Sequence, residues 1–343
     1  MRLGLALPHY SSDPADGAAT WERVAGIAKV AEDSGFASLW VSDHLFVDWS
    51  KYGASAEPRG SLECWTTLSA LAAVTSTIRL GSLTLCNDFR NPALVAKMAA
   101  SLDVLSGGRL EIGMGAGWYR PEYEAAGFDF ASARRRIERL GEAIQIVARI
   151  LEGEELRFTG DHYSVDGAIA HPRPVQDPRP PLWVGGKGDR LLQVAAHASD
   201  GWNLSWLGAL EWYRERLGAA ERACEKAGRD PGTLRRSVGA YMLCGRDDRD
   251  LARRWERLVE RTPPGVLSGE AGGPIRLDDW RRTSFAGTID EVVDGLGRLA
   301  DLGVEEVIVS LGALPFQVAD EDDVGLVGTK VASALRSSPA ANT

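Results

Sequence analysis

Residues 78–118 read IRLGSLTLCNDFRNPALVAKMAASLDVLSGGRLEIGMGAGW, and this stretch decides the fold. Residues 79–85 alternate apolar and small side chains, which is typical of a buried strand. Pro92 opens a helix whose apolar residues recur at helical spacing until two glycines end it. A second strand, residues 110–114, follows at once. The stretch therefore predicts two parallel strands joined by one crossover helix.

The second strand runs into a series of glycines at Gly113, Gly115 and Gly117. The series resembles a dinucleotide-binding fingerprint, but its third glycine lies four positions after the first instead of five and leads into Trp118 instead of a helix. A nicotinamide site is therefore poorly supported. The glycines provide a strand end without side-chain bulk, which suits either the close approach of a flat ring or tight packing inside a barrel.

Strand-like and helix-like patterns alternate along almost the whole chain. Eight strands joined by helices predict a (β/α)8 TIM barrel with insertions, in one domain over residues 1–336. A hairpin around Gly160 and a Pro/Gly-rich segment at 262–274 are the expected insertions, the latter as a lid, and residues 337–343 are expected to be disordered. The predicted strands are 3–7, 38–41, 79–85, 110–114, 182–184, 202–203, 237–243 and 306–311.

Composition limits the classes of partner. The net charge of −9 argues against nucleic acid and anionic membranes as partners. Cys64, Cys86, Cys224 and Cys244 match neither zinc nor redox spacing, the histidines form no ligand set, and no apolar run is long enough to cross a bilayer. We therefore expect a cytoplasmic protein without a metal, a signal peptide or a membrane span.

The residues that follow the strands are candidates for chemistry, because a TIM barrel carries its site at the carboxyl ends of its strands. Asp43 and His44 form the best acid–base pair there. The segment Gly185-Gly186-Lys187-Gly188 before a helix is compatible with an anion cradle made of backbone N–H groups, and equally with a flexible turn.

Five blocks of the sequence resemble the luciferase-like monooxygenase superfamily, and more closely its branch of coenzyme F420-dependent (deazaflavin) oxidoreductases. The resemblance runs from about residue 1 to 315 and implies the same TIM barrel with the cofactor at its mouth. The blocks are LWVSDHLF (39–46), RLGSLTLCNDFRNPALVAK (79–97), LDVLSGGRLEIGMGAGW (102–118), PLWVGGKGDRLLQVAAHASDGWN (181–203) and FAGTIDEV (285–292).

The resemblance also implies roles for individual residues. Asp43 would contact the cofactor ring, and His44 would give or take a proton at its reactive carbon. A non-proline cis peptide is expected at Leu83–Thr84, behind the ring. The other implied cofactor contacts are Cys86, Gly115, Gly117, Trp183, Val184, Gly185 and Gly186, the last four as the phosphate loop.

The substrate side departs from part of the family. Members that oxidise glucose 6-phosphate carry glutamates at positions that match Tyr10 and Trp118, so a sugar phosphate is not expected here. Together with Trp202 and Trp206, these residues predict an aromatic surface for a small apolar or conjugated substrate.

Three functions are compatible with these observations. The leading hypothesis is an oxidoreductase that transfers hydride between reduced coenzyme F420 and a small organic substrate. The first alternative is an FMN-dependent two-component monooxygenase, and the second is a barrel that binds flavin without turnover. Relatives often form homodimers, so a homodimer is also implied.

Overall fold

The computed structural model describes residues 1–10, 19–55, 60–269 and 273–337. The strands within these residues are β1 (Arg2–Ala6), β2 (Ser38–Val41), β3 (Arg79–Ser82), β4 (Leu85–Cys86), β5 (Leu110–Gly115), β6 (Leu156–Thr159), β7 (Ser164–Ala168), β8 (Leu182–Gly185), β9 (Gly201–Leu204), β10 (Arg235–Gly245), β11 (Phe285–Thr288) and β12 (Glu306–Ser310). Eight of them are parallel and close into a barrel in the order β1-β2-β3-β5-β8-β9-β10-β12, and β12 pairs with β1. The predicted (β/α)8 barrel is confirmed.

Helices surround the barrel. They are α1 (Trp21–Ser34), α2 (Cys64–Val74), α3 (Pro92–Ser106), α4 (Arg120–Ala126), α5 (Ala133–Leu151), α6 (Asp189–Ala198), α7 (Leu210–Lys226), α8 (Asp248–Glu260), α9 (Leu277–Trp280), α10 (Ile289–Ala300), α11 (Glu321–Leu326) and α12 (Ser333–Ser337). A π-helical segment, Val327–Ala332, joins the last two. None of the helices described by the structure is both long and apolar enough to cross a membrane.

The stretch that decides the fold forms as predicted. Asn91 caps α3 by accepting a hydrogen bond from the N–H of Ala93 at 2.9 Å, and Pro92 occupies the first turn. Gly107, with a φ of 65°, ends the helix in the left-handed conformation. The chain then enters β5, which pairs in parallel with both β3 and β8.

Three local features complete the barrel, of which the cis peptide and the hairpin were expected and the strand β11 was not. The third strand is broken into β3 and β4 by a cis peptide between Leu83 and Thr84. An additional strand, β11, pairs with the end of β10 and lengthens that edge of the barrel. The expected hairpin is the antiparallel pair β6–β7. Residues 338–343, from the tail expected to be disordered, and residues 270–272, from the expected lid, lie outside the described residues.

The amino-terminal end of the barrel is closed by buried ion pairs. Glu111 accepts hydrogen bonds from Arg79 Nε at 2.5 Å and from Trp183 Nε1 at 2.7 Å, while Glu306 accepts one from Arg2 at 2.7 Å. Both carboxylates are almost completely buried. Because this end is filled by paired charges, the opposite end of the barrel is left to form a site.

Candidate active site

A cavity of about 470 Å³ opens at the carboxyl ends of the strands. Its size is that of a small-molecule site. Loops that follow most of the barrel strands line it. Among its lining residues are eleven of the predicted site residues: Tyr10, Asp43, His44, Leu83, Thr84, Cys86, Gly115, Gly117, Trp118, Gly185 and Gly186.

His44 is held by a carboxylate that the sequence analysis did not select. Its Nδ1 lies 2.7 Å from Glu122 Oε2. The other oxygen of Glu122 accepts the N–H groups of Leu45 at 2.7 Å and Phe46 at 2.8 Å. The Glu122 side chain is 2% exposed, so this carboxylate is fixed on three sides. The Nδ1 proton therefore points at Glu122, which leaves Nε2 as the ring nitrogen that can accept or give a proton in the cavity.

Asp43 is engaged by the protein itself. Its two oxygens accept Arg90 Nη1 at 2.7 Å and Arg90 Nη2 at 3.0 Å, and Oδ2 also accepts the N–H of Cys86 at 2.9 Å. Burial raises the pKa of Asp43, and the Arg90 guanidinium and the Cys86 amide oppose that rise. The bidentate pair fixes the end of β2 against the end of β4 and holds the carboxylate at the cavity wall.

The expected cis peptide at Leu83–Thr84 is present. Thr84 lies in the space between the glycines of the neighbouring strands. A Cβ on Gly115 would lie 2.5 Å from Thr84 Oγ1, and a Cβ on Gly185 would lie 2.5 Å from Thr84 Cγ2. Packing against Thr84 thus requires glycine at both positions, which answers the question that the sequence left open about the role of Gly115.

The loop after β8 is anchored from behind. Gly186 has a φ of 149°, a conformation open mainly to glycine, and its carbonyl accepts Trp202 Nε1 at 2.8 Å. Lys187 lines the cavity, and α6 begins directly after Gly188. The loop therefore presents a cationic side chain and the positive end of a ten-residue helix at the cavity mouth.

Three predicted site residues do not line the cavity. Trp183 is buried inside the barrel, where its indole N–H bonds Glu111, and Val184 is completely buried beside it. Trp202 is also completely buried and packs parallel to Tyr213, with ring centroids 6.2 Å apart. In the structure, Trp202 supports the Gly186 loop from behind, and the substrate contact predicted for it gains no support from the geometry.

Tyr10 ends a buried chain of hydrogen bonds. His9 Nδ1 lies 2.9 Å from the carbonyl of Leu7 and so carries the proton, which leaves Nε2 to accept Ser42 Oγ at 3.0 Å. Ser42 in turn accepts the hydroxyl of Tyr10. Burial lowers the pKa of His9 to about 4, so the imidazole is neutral at physiological pH. The chain fixes the hydroxyl of Tyr10 and presents its ring to the cavity.

Trp118 lies beside the candidate acid–base group. Its ring stands edge-on to His44, with centroids 5.5 Å apart, and Lys51, which also lines the cavity, places its Nζ 3.6 Å from the ring centroid. The side chain is 43% exposed. Trp118 therefore forms the outer wall of the cavity next to His44, where the sequence analysis expected substrate.

Glu122 and Arg90 are not among the residues predicted from the sequence. The position of Glu122 could have been predicted, because Pro121 is a favoured first-turn residue and places Glu122 in the opening turn of a short helix just after β5. Arg90 carried no comparable signal, because only the folded chain brings it to Asp43, which lies 47 positions away. No group of three or more His, Cys, Asp or Glu side chains within the described ranges is arranged to hold a metal ion.

A family model described as luciferase-like monooxygenase matches residues 1–306. The chain belongs to this family, as the resemblance predicted, and within it to the branch of F420-dependent oxidoreductases. An F420-dependent hydroxymycolic acid dehydrogenase of Mycobacterium tuberculosis is 30% identical over 308 residues, which cover 88% of this chain and 80% of that protein.

Solved structures share the fold. A coenzyme F420-dependent tetrahydromethanopterin reductase from Methanopyrus kandleri superposes with a TM-score of 0.75 at 21% identity, covering 97% of this chain and 99% of the other. A monooxygenase from Streptomyces bottropensis has the same TM-score of 0.75 and the same 21% identity, covering 98% and 99%. The barrel is thus common to enzymes of both kinds, so these two solved structures show the fold alone.

Proposed function

We propose that this protein is an oxidoreductase that transfers hydride between coenzyme F420 and a small, largely apolar organic substrate. The observation that carries the proposal is the His44–Glu122 pair, which places a basic imidazole nitrogen in the cavity beside the strand ends that fit a flat ring. The F420-dependent relative at 30% identity supports the choice of cofactor.

The cavity walls fit such a cofactor. Gly115 and Gly185 leave room for Thr84 at the ends of β5 and β8, so these strand ends form a wall without bulky side chains, against which a tricyclic ring can lie. Beside it, Lys187 and the start of α6 are suited to a phosphate. The residues that would hold the cofactor are Asp43, Leu83, Thr84, Cys86, Gly115, Gly117, Gly185, Gly186 and Lys187.

Coenzyme F420 supplies a hydride and, unlike a flavin, reacts poorly with oxygen. The protein supplies the proton, which His44 Nε2 gives or takes while Glu122 keeps the proton of Nδ1 in place. Tyr10 and Trp118 line the substrate side and exclude water from the reacting atoms.

The proposal is tested by following the absorbance of reduced F420 under anaerobic conditions with a panel of aryl ketones and activated alkenes. We expect oxidation of the cofactor that depends on both enzyme and substrate and does not need oxygen. Turnover only with reduced FMN and oxygen would instead support the monooxygenase. A protein that binds the cofactor but oxidises it with no compound of the panel would fit the non-catalytic barrel.

We also propose that the protein acts in the cytoplasm as a homodimer, with neither nucleic acid nor membrane as a partner. The net charge of −9 supports the absence of nucleic-acid and membrane partners, the four buried free thiols support the cytoplasm, and the family resemblance supports the dimer. Light scattering of the purified protein would give twice the 37.0 kDa chain mass if the dimer forms, and a single chain mass would reject it.

A further inference from the structure

The cavity is divided into two halves by the order of the strands. The loops and strand ends of β4, β5 and β8 carry the glycines and the cis peptide. The other half is formed by neighbouring strands β9, β10, β12, β1 and β2. It presents aromatic side chains, here called the aromatic wall: Tyr10, Trp49, Tyr52, Trp206, Tyr241 and Phe316.

The members of the aromatic wall contact one another in sequence. Tyr52 lies 5.7 Å from Trp49, and Trp49 lies 5.1 Å from Tyr10, measured between ring centroids. Tyr10 is followed by Phe316 at 6.2 Å. Trp206 then lies 5.4 Å from Phe316 and stacks on Tyr241 at 5.3 Å. Such a curved aromatic surface favours a flat, conjugated ligand.

The wall also carries polar atoms that nothing in the described residues satisfies. Trp49 is 2% exposed, and its indole N–H has no acceptor. Tyr52 and Tyr241 line the cavity, and among the described residues neither of their hydroxyls has a hydrogen-bond partner. By contrast, the hydroxyl of Tyr10 donates to Ser42, and that of Tyr119, outside the wall, donates to Asp48.

These unsatisfied groups are donors. Burial raises the pKa of Tyr52 to about 12 and raises that of Tyr241 well above its ordinary value, the latter also through the proximity of Tyr52. Both hydroxyls stay protonated at physiological pH. A tyrosine hydroxyl that has no protein partner at the cavity can donate to a bound ligand, so a ligand that offers an acceptor at this place gains affinity, whereas a hydrocarbon does not.

We propose that the aromatic wall binds a planar aromatic or conjugated substrate that carries a neutral accepting oxygen, such as a carbonyl or ether oxygen, and that the hydroxyls of Tyr52 and Tyr241 recognise this oxygen. The two hydroxyls are neutral donors, which matches a carbonyl or ether oxygen, and Lys51, which also lines the cavity, lies against the ring of Trp118. The inference rests on the proposed function, because it assigns the glycine-lined half of the cavity to the cofactor.

The test uses two probes that differ by one oxygen, 1-tetralone and tetralin. Their dissociation constants are measured by calorimetry with the protein saturated with oxidised F420. We expect the wild-type protein to bind the ketone about tenfold more tightly than the hydrocarbon. Tyr52→Phe and Tyr241→Phe should each reduce this preference, and the double variant should abolish it while leaving tetralin binding unchanged.

A control variant locates the effect. Tyr119→Phe removes a cavity hydroxyl that already has a partner, so it should keep the preference. Loss of the preference in Tyr119→Phe, its survival in the double tyrosine variant, or binding of neither probe would overturn the inference.

Cofactor binding is measured separately, so the two proposals can fail independently. If F420 does not bind, the proposed function fails, and the probe preference is then measured on the protein alone. If F420 binds and the preference does not depend on the two tyrosines, only the inference about the substrate fails.

Discussion

The two ring nitrogens of His44 have separate surroundings. Glu122 bonds Nδ1, and the amides of Leu45 and Phe46 prevent this carboxylate from turning away. The orientation of the ring is therefore set before any ligand enters, and no reorganisation is needed at the moment of proton transfer. Glu122 lies on α4, and His44 lies in the loop after β2, so the pair also joins two elements at the mouth.

Replacement of His44 by alanine tests its role directly. Because the imidazole is the proposed proton donor or acceptor, His44→Ala should lower turnover by about 10²–10⁴-fold and leave F420 affinity nearly unchanged. Steady-state rates and cofactor titration measure the two quantities. His197→Ala, an exposed histidine on α6, is the matched control. Unchanged turnover in His44→Ala would remove it from the mechanism.

Glu122→Gln keeps the size of the side chain and changes its hydrogen bonding. The amide oxygen can still accept the two backbone N–H groups, which leaves the amide nitrogen to donate to His44 Nδ1 and forces the ring proton onto Nε2. We expect kcat to fall by about 10–100-fold, its pH profile to shift, and F420 affinity to stay the same. Glu124→Gln on the exposed side of α4 should change none of these. Equal kinetics for the two variants would show that Glu122 is only structural.

At the scale of elements, the break between β3 and β4 shapes the cofactor half of the cavity. Ser82 Oγ donates to the carbonyl of Gly113 at 2.9 Å and keeps β3 in register with β5 up to the break. Beyond it, Thr84 fills the space that side chains on β5 and β8 would otherwise occupy. The smooth surface of the cavity is thus a joint property of three strands.

A pair of double variants tests this packing. Gly185→Ala brings a methyl group against Thr84 Cγ2 and should lower the free energy of unfolding by about 1–3 kcal/mol. Thr84→Ser removes Cγ2 and should restore most of that loss. Gly115→Ala meets Thr84 Oγ1, which serine retains, so the same second substitution should not rescue it. Chemical denaturation gives all of the values, and rescue of both glycine variants or of neither would contradict this packing.

The elements were largely predictable from the sequence, whereas the contacts between them were not. Caps such as Asn91 and Gly107 act within a few residues, so their pattern is local and marks the ends of α3. The Asp43–Arg90 pair depends on how β2 and β4 come together. Trp202 shows the same limit, because its place at a strand end could not reveal that its ring faces Tyr213 instead of the cavity.

For the whole molecule, the buried His9 predicts a pH dependence of stability. Its pKa is about 4 in the folded protein and 6.5 as the ordinary value, so the unfolded chain binds this proton more readily. The contribution of neutral His9 to the free energy of unfolding is fully present above pH 6.5. It is lost as the pH falls towards 4, by up to about 3 kcal/mol. Burial raises the pKa of Asp323 to about 7, which gives a slope of opposite sign in the same range.

The contributions of His9 and Asp323 are separated by comparing how steeply the free energy of unfolding changes with pH in variant and wild-type proteins. His9→Gln should remove the histidine contribution, so its free energy of unfolding should fall less than that of the wild-type protein between pH 6.5 and 4.5. The exposed His197→Gln should follow the wild type, and Asp323 is present in all three proteins. Denaturant unfolding at several pH values provides the data. Parallel curves for His9→Gln and wild type would show that folding does not lower the pKa of His9.

A fluorescence titration of the purified protein tests directly whether the glycine-lined half of the cavity holds a deazaflavin. Oxidised and reduced F420 are titrated in parallel with FMN. We expect saturable binding of F420 that is at least about tenfold tighter than binding of FMN, a difference of about 1.4 kcal/mol in binding free energy. Tighter binding of FMN, or no binding of either cofactor, would contradict it.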